Sequence, residues 1–160
     1  MKKNSLILVA CLSFFIISSC ETSKKETIKK TEKTDDFKKV EAAILDYVEA
    51  IYLVDSTRIE KSVDTTMRKI GYWYHPEKKT YVDNLEMTHK KLVNLATRWN
   101  KDGKRADDKS PKEIEIFDVN SKIASAKLTA AWGIDLFHLA KVNNQWKIIN
   151  VIWQSQPKTK

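Results

Sequence analysis

The chain has 160 residues, of which 42% are hydrophobic and five are tryptophan, enough for one domain with its own core. Its formal net charge is +8, but arginine is scarce and the lysines are concentrated in an N-terminal segment rather than along one predicted face. With the export signal at the N-terminus, this distribution argues against a nucleic-acid partner.

Residues 1–19 have the pattern of a secretory signal peptide. Lys2 and Lys3 precede an apolar run from Leu6 to Ile17, and small residues follow it. The run is shorter than the roughly 20 apolar residues that a membrane-spanning helix needs. We therefore expect an exported protein from which this segment is removed.

The signal ends at Ile17-Ser18-Ser19-Cys20, which resembles the bacterial lipobox, whose cysteine is lipidated and becomes the first residue of the mature protein. A second match ends at Cys11, but it leaves too short an apolar core before the cleavage point. Lipidation of Cys20 predicts attachment to a membrane surface without a span. The alternative is an ordinary signal peptide with Cys20 as a free thiol.

Residues 20–34 are predicted to be a flexible, lipidated tether. Between Glu21 and Thr34 the only apolar side chain is Ile28, so the segment cannot bury enough surface to offset its ordering entropy. Its lysines suit an anionic surface, or they simply keep the tether solvated. Thr22, rather than aspartate, follows the cysteine at the second position, which favours an outer-membrane or cell-surface location over the inner membrane.

Three helices are predicted before the main sheet. Asp35 and Asp36 offer an N-cap for a helix from Phe37 to about Val54, whose apolar residues recur in steps of three and four. A short second helix covers residues 58–63. Thr88 is predicted to cap a third helix that runs to about Asn100.

Alternating patterns predict the strands. Residues 67–85 form a hairpin with a turn at His75 to Lys79, and the run from Glu113 to Trp153 gives four further strands. Asn143-Asn144 is predicted to be a tight hairpin turn. The order predicts an α+β domain over residues 35–157, with three N-terminal helices packed on a strongly curved, mixed but mainly antiparallel sheet.

Two segments near the C-terminus narrow the fold. Residues 135–141, DLFHLAK, and residues 146–153, WKIINVIW, resemble the C-terminal signature of the putative lumazine-binding family. That family lies within the nuclear transport factor two-like, or ketosteroid isomerase-like, superfamily. The end of the first predicted helix, from Tyr47 to Asp55, is similar to the N-terminal part of the family's sequences. The resemblance spans Phe37 to Gln154 and implies a cone with an interior pocket. Because the superfamily includes isomerases, cyclases, dehydratases, binding modules and dimerisation domains, it implies no single function.

Asp135 and His138 are the first candidates for chemistry, with Tyr47 as a hydrogen-bond donor. A carboxylate in an apolar strand has a raised pKa and can act as an acid or a base. Residues 135 and 138 differ by an odd number, so in a regular strand they face opposite sides and at most one faces the pocket. The alternative is that Asp135 bonds to the backbone and His138 lies in a sheet or dimer face.

Aromatic residues are the second candidate, because they could stack a flat heterocycle. The predicted pocket residues are Tyr47, Trp73, Trp99, Trp132, Asp135 and Trp153. The alternative is that the tryptophans fill a small core and a dimer face. Trp146 and Ile148 alternate with Ile149, Val151 and Trp153, so both faces of the last strand look apolar, which predicts a homodimer through the sheet.

The histidines at 75, 89 and 138 fall on separate predicted elements, and the sequence has no phosphate-binding glycine loop, so neither a metal site nor a cofactor is expected. The leading hypothesis is a lipid-anchored, exported domain that binds a small flat or apolar ligand, or that dimerises, without turnover. The alternative is an isomerase, dehydratase or cyclase that uses Asp135 as the acid or base and Tyr47 as the donor.

Overall fold

The structure is a computed structural model that describes residues 20–156, with side chains from residue 35 onward. The predicted signal peptide, residues 1–19, lies outside the described residues. Three helices and six strands follow in the order α1 (Cys20–Tyr52), α2 (Thr57–Ser62), β1 (Val63–His75), β2 (Thr80–Thr88), α3 (His89–Ala96), β3 (Lys112–Val119), β4 (Ile123–Ala130), β5 (Gly133–Val142) and β6 (Gln145–Gln154).

Helix α1 begins at Cys20 instead of Phe37, so the segment predicted as a flexible tether is helical in the structure. Lysine and glutamate, which are abundant there, have high helix propensity, and the packed part of the helix supplies the nucleus from which further turns can grow. Within the described residues, no helix combines the length and the apolar character needed to cross a membrane.

Asp36 therefore lies inside α1 and does not cap it. Its carboxylate accepts hydrogen bonds from Lys141 Nζ at 2.8 and 2.9 Å and from the Trp146 indole nitrogen at 3.1 Å. Lys141 and Trp146 face each other across the β5–β6 hairpin. The predicted cap is thus a contact that fixes α1 against the end of that hairpin.

The strands form one open six-stranded sheet in the order β2-β1-β6-β5-β4-β3. The pairing of β1 with β6 is parallel and the other pairings are antiparallel, so the predicted mixed, mainly antiparallel sheet is confirmed. Two helices precede the sheet, and α3 follows the β1–β2 hairpin. Asn143 and Asn144 have φ values of 47° and 63°, as a type I′ turn between β5 and β6 requires.

One face of the sheet is covered by α1. Along β5, Asp135, Phe137 and Leu139 are at most 1% exposed, whereas Leu136 between them is 45% exposed. The stripe on α1 that packs against this inner face is buried along its length and consists of Val40, Ile44, Tyr47, Val48 and Ile51. Alternate residues of the strand and residues three or four apart on the helix therefore pack together in one apolar layer.

A β-bulge corrects the prediction for the last strand. The β5–β6 register shifts between His138 and Leu139, whose partners on β6 are Asn150 and Ile148, so Ile149 is the extra residue. This shift brings Trp146, Ile148 and Val151 to the inner face together. Trp146 and Ile148 thus share the inner face with Val151, although they were predicted to lie on the opposite face from it, and Ile149 and Ile152 are the β6 apolar residues left exposed.

Candidate functional site

Four side chains from separate parts of the chain form a buried polar cluster on the inner face of the sheet. Tyr47 comes from the apolar stripe of α1, Lys69 from β1, Asp135 from β5, and Trp132 from the turn that precedes β5. Tyr47 and Asp135 are fully buried, and Lys69 is 4% exposed. We call these four residues the polar cluster.

Every polar group in the cluster contacts another. The Tyr47 hydroxyl donates to Asp135 Oδ2 at 2.8 Å, and Lys69 Nζ donates both to the Tyr47 hydroxyl and, at 3.4 Å, to the same carboxylate oxygen. The Trp132 indole N–H donates to Asp135 Oδ1 at 3.2 Å. Buried charges are tolerated only when they are paired and hydrogen-bonded, and both conditions hold here.

Burial moves the pKa values of Tyr47 and Lys69 in opposite directions. It raises the pKa of Tyr47 well above its ordinary value, and the negative charge of Asp135 raises it further. Burial lowers the pKa of Lys69, while the charge and hydrogen bond of Asp135 oppose that change. At neutral pH, the Tyr47 hydroxyl therefore stays protonated and donates a hydrogen bond, and Lys69 gives up its proton more readily than an exposed lysine.

Aromatic rings surround the cluster. The Lys69 nitrogen lies 5.2, 6.0 and 5.4 Å from the ring centroids of Tyr47, Trp132 and Trp153. Trp132 meets Trp99 edge-on at 5.5 Å, and Trp99 stacks on Tyr52 at 6.1 Å. Trp132 and Trp153 are half-buried, so this aromatic layer separates the polar cluster from the surface.

Gly71 leaves the space that the Trp153 side chain occupies. The two residues are partners across β1 and β6, and a Cβ at position 71 would overlap the indole ring. Trp153 is also the partner of Asp135 across β5 and β6. Its indole N–H is buried and has no hydrogen-bond partner among the described residues. An unused donor thus lies beside the polar cluster.

The structure brings together most of the residues predicted to line a pocket. Tyr47 and Asp135 are in contact, and Trp99, Trp132 and Trp153 form the aromatic layer around them. Trp73 is not part of this group, because it is 41% exposed and its ring packs against His75 at 5.2 Å, beyond a register shift in β1.

His138 lies on the opposite face of β5 from Asp135, as the odd spacing predicts. It is exposed, and its Nδ1 atom is 3.4 Å from the Asn150 side-chain nitrogen. His138 is therefore excluded from a joint site with Asp135. The described residues contain no group of three or more histidine, cysteine or acidic side chains that could hold a metal ion.

Lys69 was missed by the sequence reasoning. Its strand was correctly predicted, but an isolated lysine in an alternating strand is normally assigned to solvent. One signal was available, because Lys69 shares its strand face with Met67 and Gly71, which are also buried. A second was that Asp135, a carboxylate flanked by apolar residues, requires a counter-charge from elsewhere in the chain.

A substitution at Asp135 tests the energetic role of the polar cluster. We expect Asp135→Asn to lower the free energy of unfolding by about 3 kcal/mol at pH 7, because it leaves the Lys69 charge buried without its partner. The loss should shrink as the pH rises towards about 10.4, the ordinary pKa of lysine. Near that pH, Lys69 is neutral in the folded variant and is also losing its proton in the unfolded chain, so the unfolded state no longer binds an extra proton. Urea denaturation at several pH values measures both effects.

The matched control is Glu86→Gln, which removes an exposed ion pair with Arg68 at 3.1 Å. It should change stability by less than about 0.5 kcal/mol. Equal effects of the two substitutions, or a loss at Asp135 that grows with pH, would contradict the assigned pairing.

Solved structures share this fold. The chain is similar to an NTF2-like protein of unknown function from Silicibacter pomeroyi, with a TM-score of 0.56, 16% identity, and coverage of 77% of this chain and 98% of that one. NTF2-like proteins of unknown function from Shewanella baltica and Methylobacillus flagellatus give TM-scores of 0.53 and 0.51. The Shewanella baltica protein is 15% identical, and the match covers 78% of this chain and 97% of that one. The Methylobacillus flagellatus protein is 18% identical, and the match covers 76% of this chain and 93% of that one.

At these identities the structural likeness establishes the fold alone, which is that of the nuclear transport factor two-like superfamily. No curated protein matches the sequence. The model of one family, described as "Putative lumazine-binding", matches residues 35–154, which is nearly all of the packed α+β domain. The chain therefore belongs to the putative lumazine-binding family, and its fold is that of the nuclear transport factor two-like proteins.

Proposed function

We propose that this domain binds a small, flat ligand whose body stacks in the aromatic layer and whose polar end reaches the polar cluster. The observation that carries the proposal is the contact of Tyr47, Lys69 and Asp135 beneath the half-buried rings of Trp132 and Trp153. Ligand sites combine an apolar lining with a few polar groups that fix orientation, and this part of the domain offers both. We place the ligand in the interior of a cone formed by the sheet and α1.

Energetics support a role beyond stability. A buried ion pair is generally no more stabilising than apolar residues of the same volume, so Lys69 and Asp135 contribute little that leucines could not. The unused N–H of Trp153 costs about 1–3 kcal/mol if it stays unpaired. A ligand with a hydrogen-bond acceptor would recover that cost.

The family description suggests a ligand class. Lumazine is a flat bicyclic heterocycle that carries carbonyl oxygens and ring N–H groups. Tyr47, Lys69 and Trp153 are donors for carbonyl oxygens, and Asp135 is an acceptor for an N–H. The chemistry of the cluster thus matches a bicyclic dione.

Binding without turnover fits Asp135 better than acid–base catalysis. Its Oδ1 atom accepts from Trp132, and its Oδ2 atom accepts from both Tyr47 and Lys69. Both carboxylate oxygens are therefore already occupied by donors from the cluster. The alternative, an isomerase, dehydratase or cyclase with Asp135 as base, keeps support from the 2.8 Å contact between Tyr47 and Asp135, but its substrate would first have to displace one of these donors.

Lumazine should quench the tryptophan fluorescence of the wild-type protein in a saturable manner. Tyr47→Phe should weaken binding about tenfold, because one hydrogen bond is lost. The control Tyr74→Phe removes the same hydroxyl from a tyrosine that packs on Tyr81 in the β1–β2 hairpin, and it should leave the affinity unchanged. A lack of saturable quenching by lumazine and a panel of related heterocycles would reject the ligand proposal.

We further propose that the protein is exported and lipid-anchored at Cys20, at the outer membrane or the cell surface. The support is the lipobox-like Ile17-Ser18-Ser19-Cys20 after an apolar segment. As a helix, residues 20–34 would extend over roughly 22 Å, which would hold the domain away from the bilayer.

Cys20→Ser should leave the precursor uncleaved or release a soluble form, because no thiol remains to be acylated. Labelling with a radioactive fatty acid and separation of membrane and soluble fractions measure both outcomes. Cys11→Ser is the matched control and should behave like the wild type. A Cys20→Ser protein that is processed and stays in the membrane fraction would show that the anchor lies elsewhere.

The outer face of the sheet supports the proposal of a homodimer. Leu136 and Ile152 are partners across β5 and β6 and are 45% and 44% exposed, and Ile123 at 61% lies on the same face of β4. A large exposed apolar patch is typical of an interface, and a second copy of the same sheet would cover it.

Leu136→Glu should convert a dimer to a monomer, because the two symmetry-related charges would be buried in the interface. Sedimentation velocity gives the oligomeric state. Leu53→Glu is the control and should remain dimeric, because Leu53 is 59% exposed and lies directly after α1, outside the sheet. A wild-type protein that sediments as a monomer at micromolar concentration would exclude the homodimer.

A further inference from the structure

Among the residues that the structure describes, two groups bond to the Lys69 nitrogen, which leaves one bonding position unused. An ammonium group has three N–H donors, and the structure assigns two of them, one to the Tyr47 hydroxyl and one to Asp135 Oδ2. The remaining position is a third N–H in the charged form and a lone pair in the neutral form. The rings of Trp132 and Trp153 lie within 6.0 Å of the nitrogen.

We propose that the Lys69 amine is a nucleophile that captures an aldehyde or ketone group of an aromatic ligand as an imine. This inference rests on the proposed ligand site and names the reactive class of ligand that the site would take. It requires an amine free of its proton, a proton donor for the carbonyl oxygen and an acceptor for the nitrogen's proton. Lys69, Tyr47 and Asp135 supply these three groups within one set of hydrogen bonds.

The step balances without any added reactant. The neutral amine attacks the carbonyl carbon, a C–N bond forms, and the carbonyl oxygen takes the Tyr47 proton while Asp135 takes a proton from nitrogen. Asp135 then returns that proton to the new hydroxyl group, the C–O bond breaks, and water leaves as the nitrogen lone pair forms the C=N bond. The last nitrogen proton restores Tyr47, so the sum is an amine and a carbonyl giving an imine and water.

The environment favours the forms of Lys69 and Tyr47 from which the step starts. Burial lowers the pKa of Lys69, which increases the fraction of nucleophilic amine at neutral pH. Burial also raises the pKa of Tyr47, which keeps its hydroxyl protonated and able to donate. The rings of Trp132 and Trp153 lie within 6.0 Å of the amine and are half-buried, so a flat aldehyde could enter by displacing or stacking on an indole.

The test uses the full-length chain in detergent, 6-methoxy-2-naphthaldehyde as the probe, and sodium cyanoborohydride to fix any imine as a stable amine. Peptide mass spectrometry then compares Lys69 with Lys78, an exposed lysine in the turn of the β1–β2 hairpin, in the same digest. At pH 7 we expect at least tenfold more adduct on Lys69. The excess should persist at pH 6, where the reactive fraction of an ordinary lysine is about ten times smaller than at pH 7.

Variants separate reactivity from a structural role. Tyr47→Phe should reduce the Lys69 adduct about tenfold while leaving the Lys78 adduct unchanged, because the proton donor is lost and the ring remains. Lys69→Arg keeps the charge and should abolish the adduct at position 69. If that variant fails to fold, the comparison of Lys69 with Lys78 in the wild type decides the question alone.

Adduct formation on Lys69 no faster than on Lys78 would overturn the inference. Quenching by 2-methoxynaphthalene, which lacks the carbonyl, distinguishes the two proposals. Saturable quenching with an unmodified Lys69 would leave the ligand site in place and reject the imine. Absence of both quenching and adduct would reject the ligand site together with the imine.

Discussion

The ion pair between Lys69 and Asp135 is the contact on which the inner face of this domain depends. Removing two charges from water is costly, and the cost is recovered only if both partners are held at hydrogen-bonding distance. Lys69 lies on β1 and Asp135 on β5, with β6 between them in the sheet. Tyr47 closes the cluster from α1, so helix and sheet must dock correctly before the charges are satisfied.

Sheet geometry decides which residues join this cluster. The parallel pairing of β1 with β6 places Gly71 beside Trp153, and the antiparallel pairing of β6 with β5 places Trp153 beside Asp135. A glycine at position 71 leaves the space that the indole occupies. The bulge at Ile149 keeps both halves of β6 apolar towards the helix, so the aromatic layer and the core are continuous.

The two faces of the sheet therefore differ in chemistry. The inner face carries paired charges, rings and one unused indole N–H, a combination suited to a small ligand with a polar end. The outer face carries Leu136 and Ile152 in contact with solvent, which suits a partner surface. Successive residues of a strand point to opposite faces. Substitutions at two neighbouring positions therefore affect different faces of the sheet.

The fold followed largely from local patterns. Period-two alternation identified all six strands, and the asparagine pair identified the β5–β6 turn, because turn geometry and burial of one face are encoded in neighbouring residues. The start of α1 was misplaced, since charged residues with high helix propensity can extend a helix without burying surface. The role of Ile149 as a bulge was not predicted either, because a bulge depends on the register of the partner strand.

For the site, the sequence alone predicted that Asp135 and His138 face opposite sides, and it identified Tyr47 and the tryptophans as candidate pocket residues. Only the tertiary structure decided that Trp73 lies outside the aromatic layer and that Lys69 is the partner of Asp135. The physical reason is the distance in sequence: Lys69 and Asp135 are 66 residues apart, and their pairing depends on strand order and register, which no local pattern encodes. The sequence around β5 thus indicated Asp135 as a carboxylate among apolar residues, and the tertiary structure identified Lys69 as its partner.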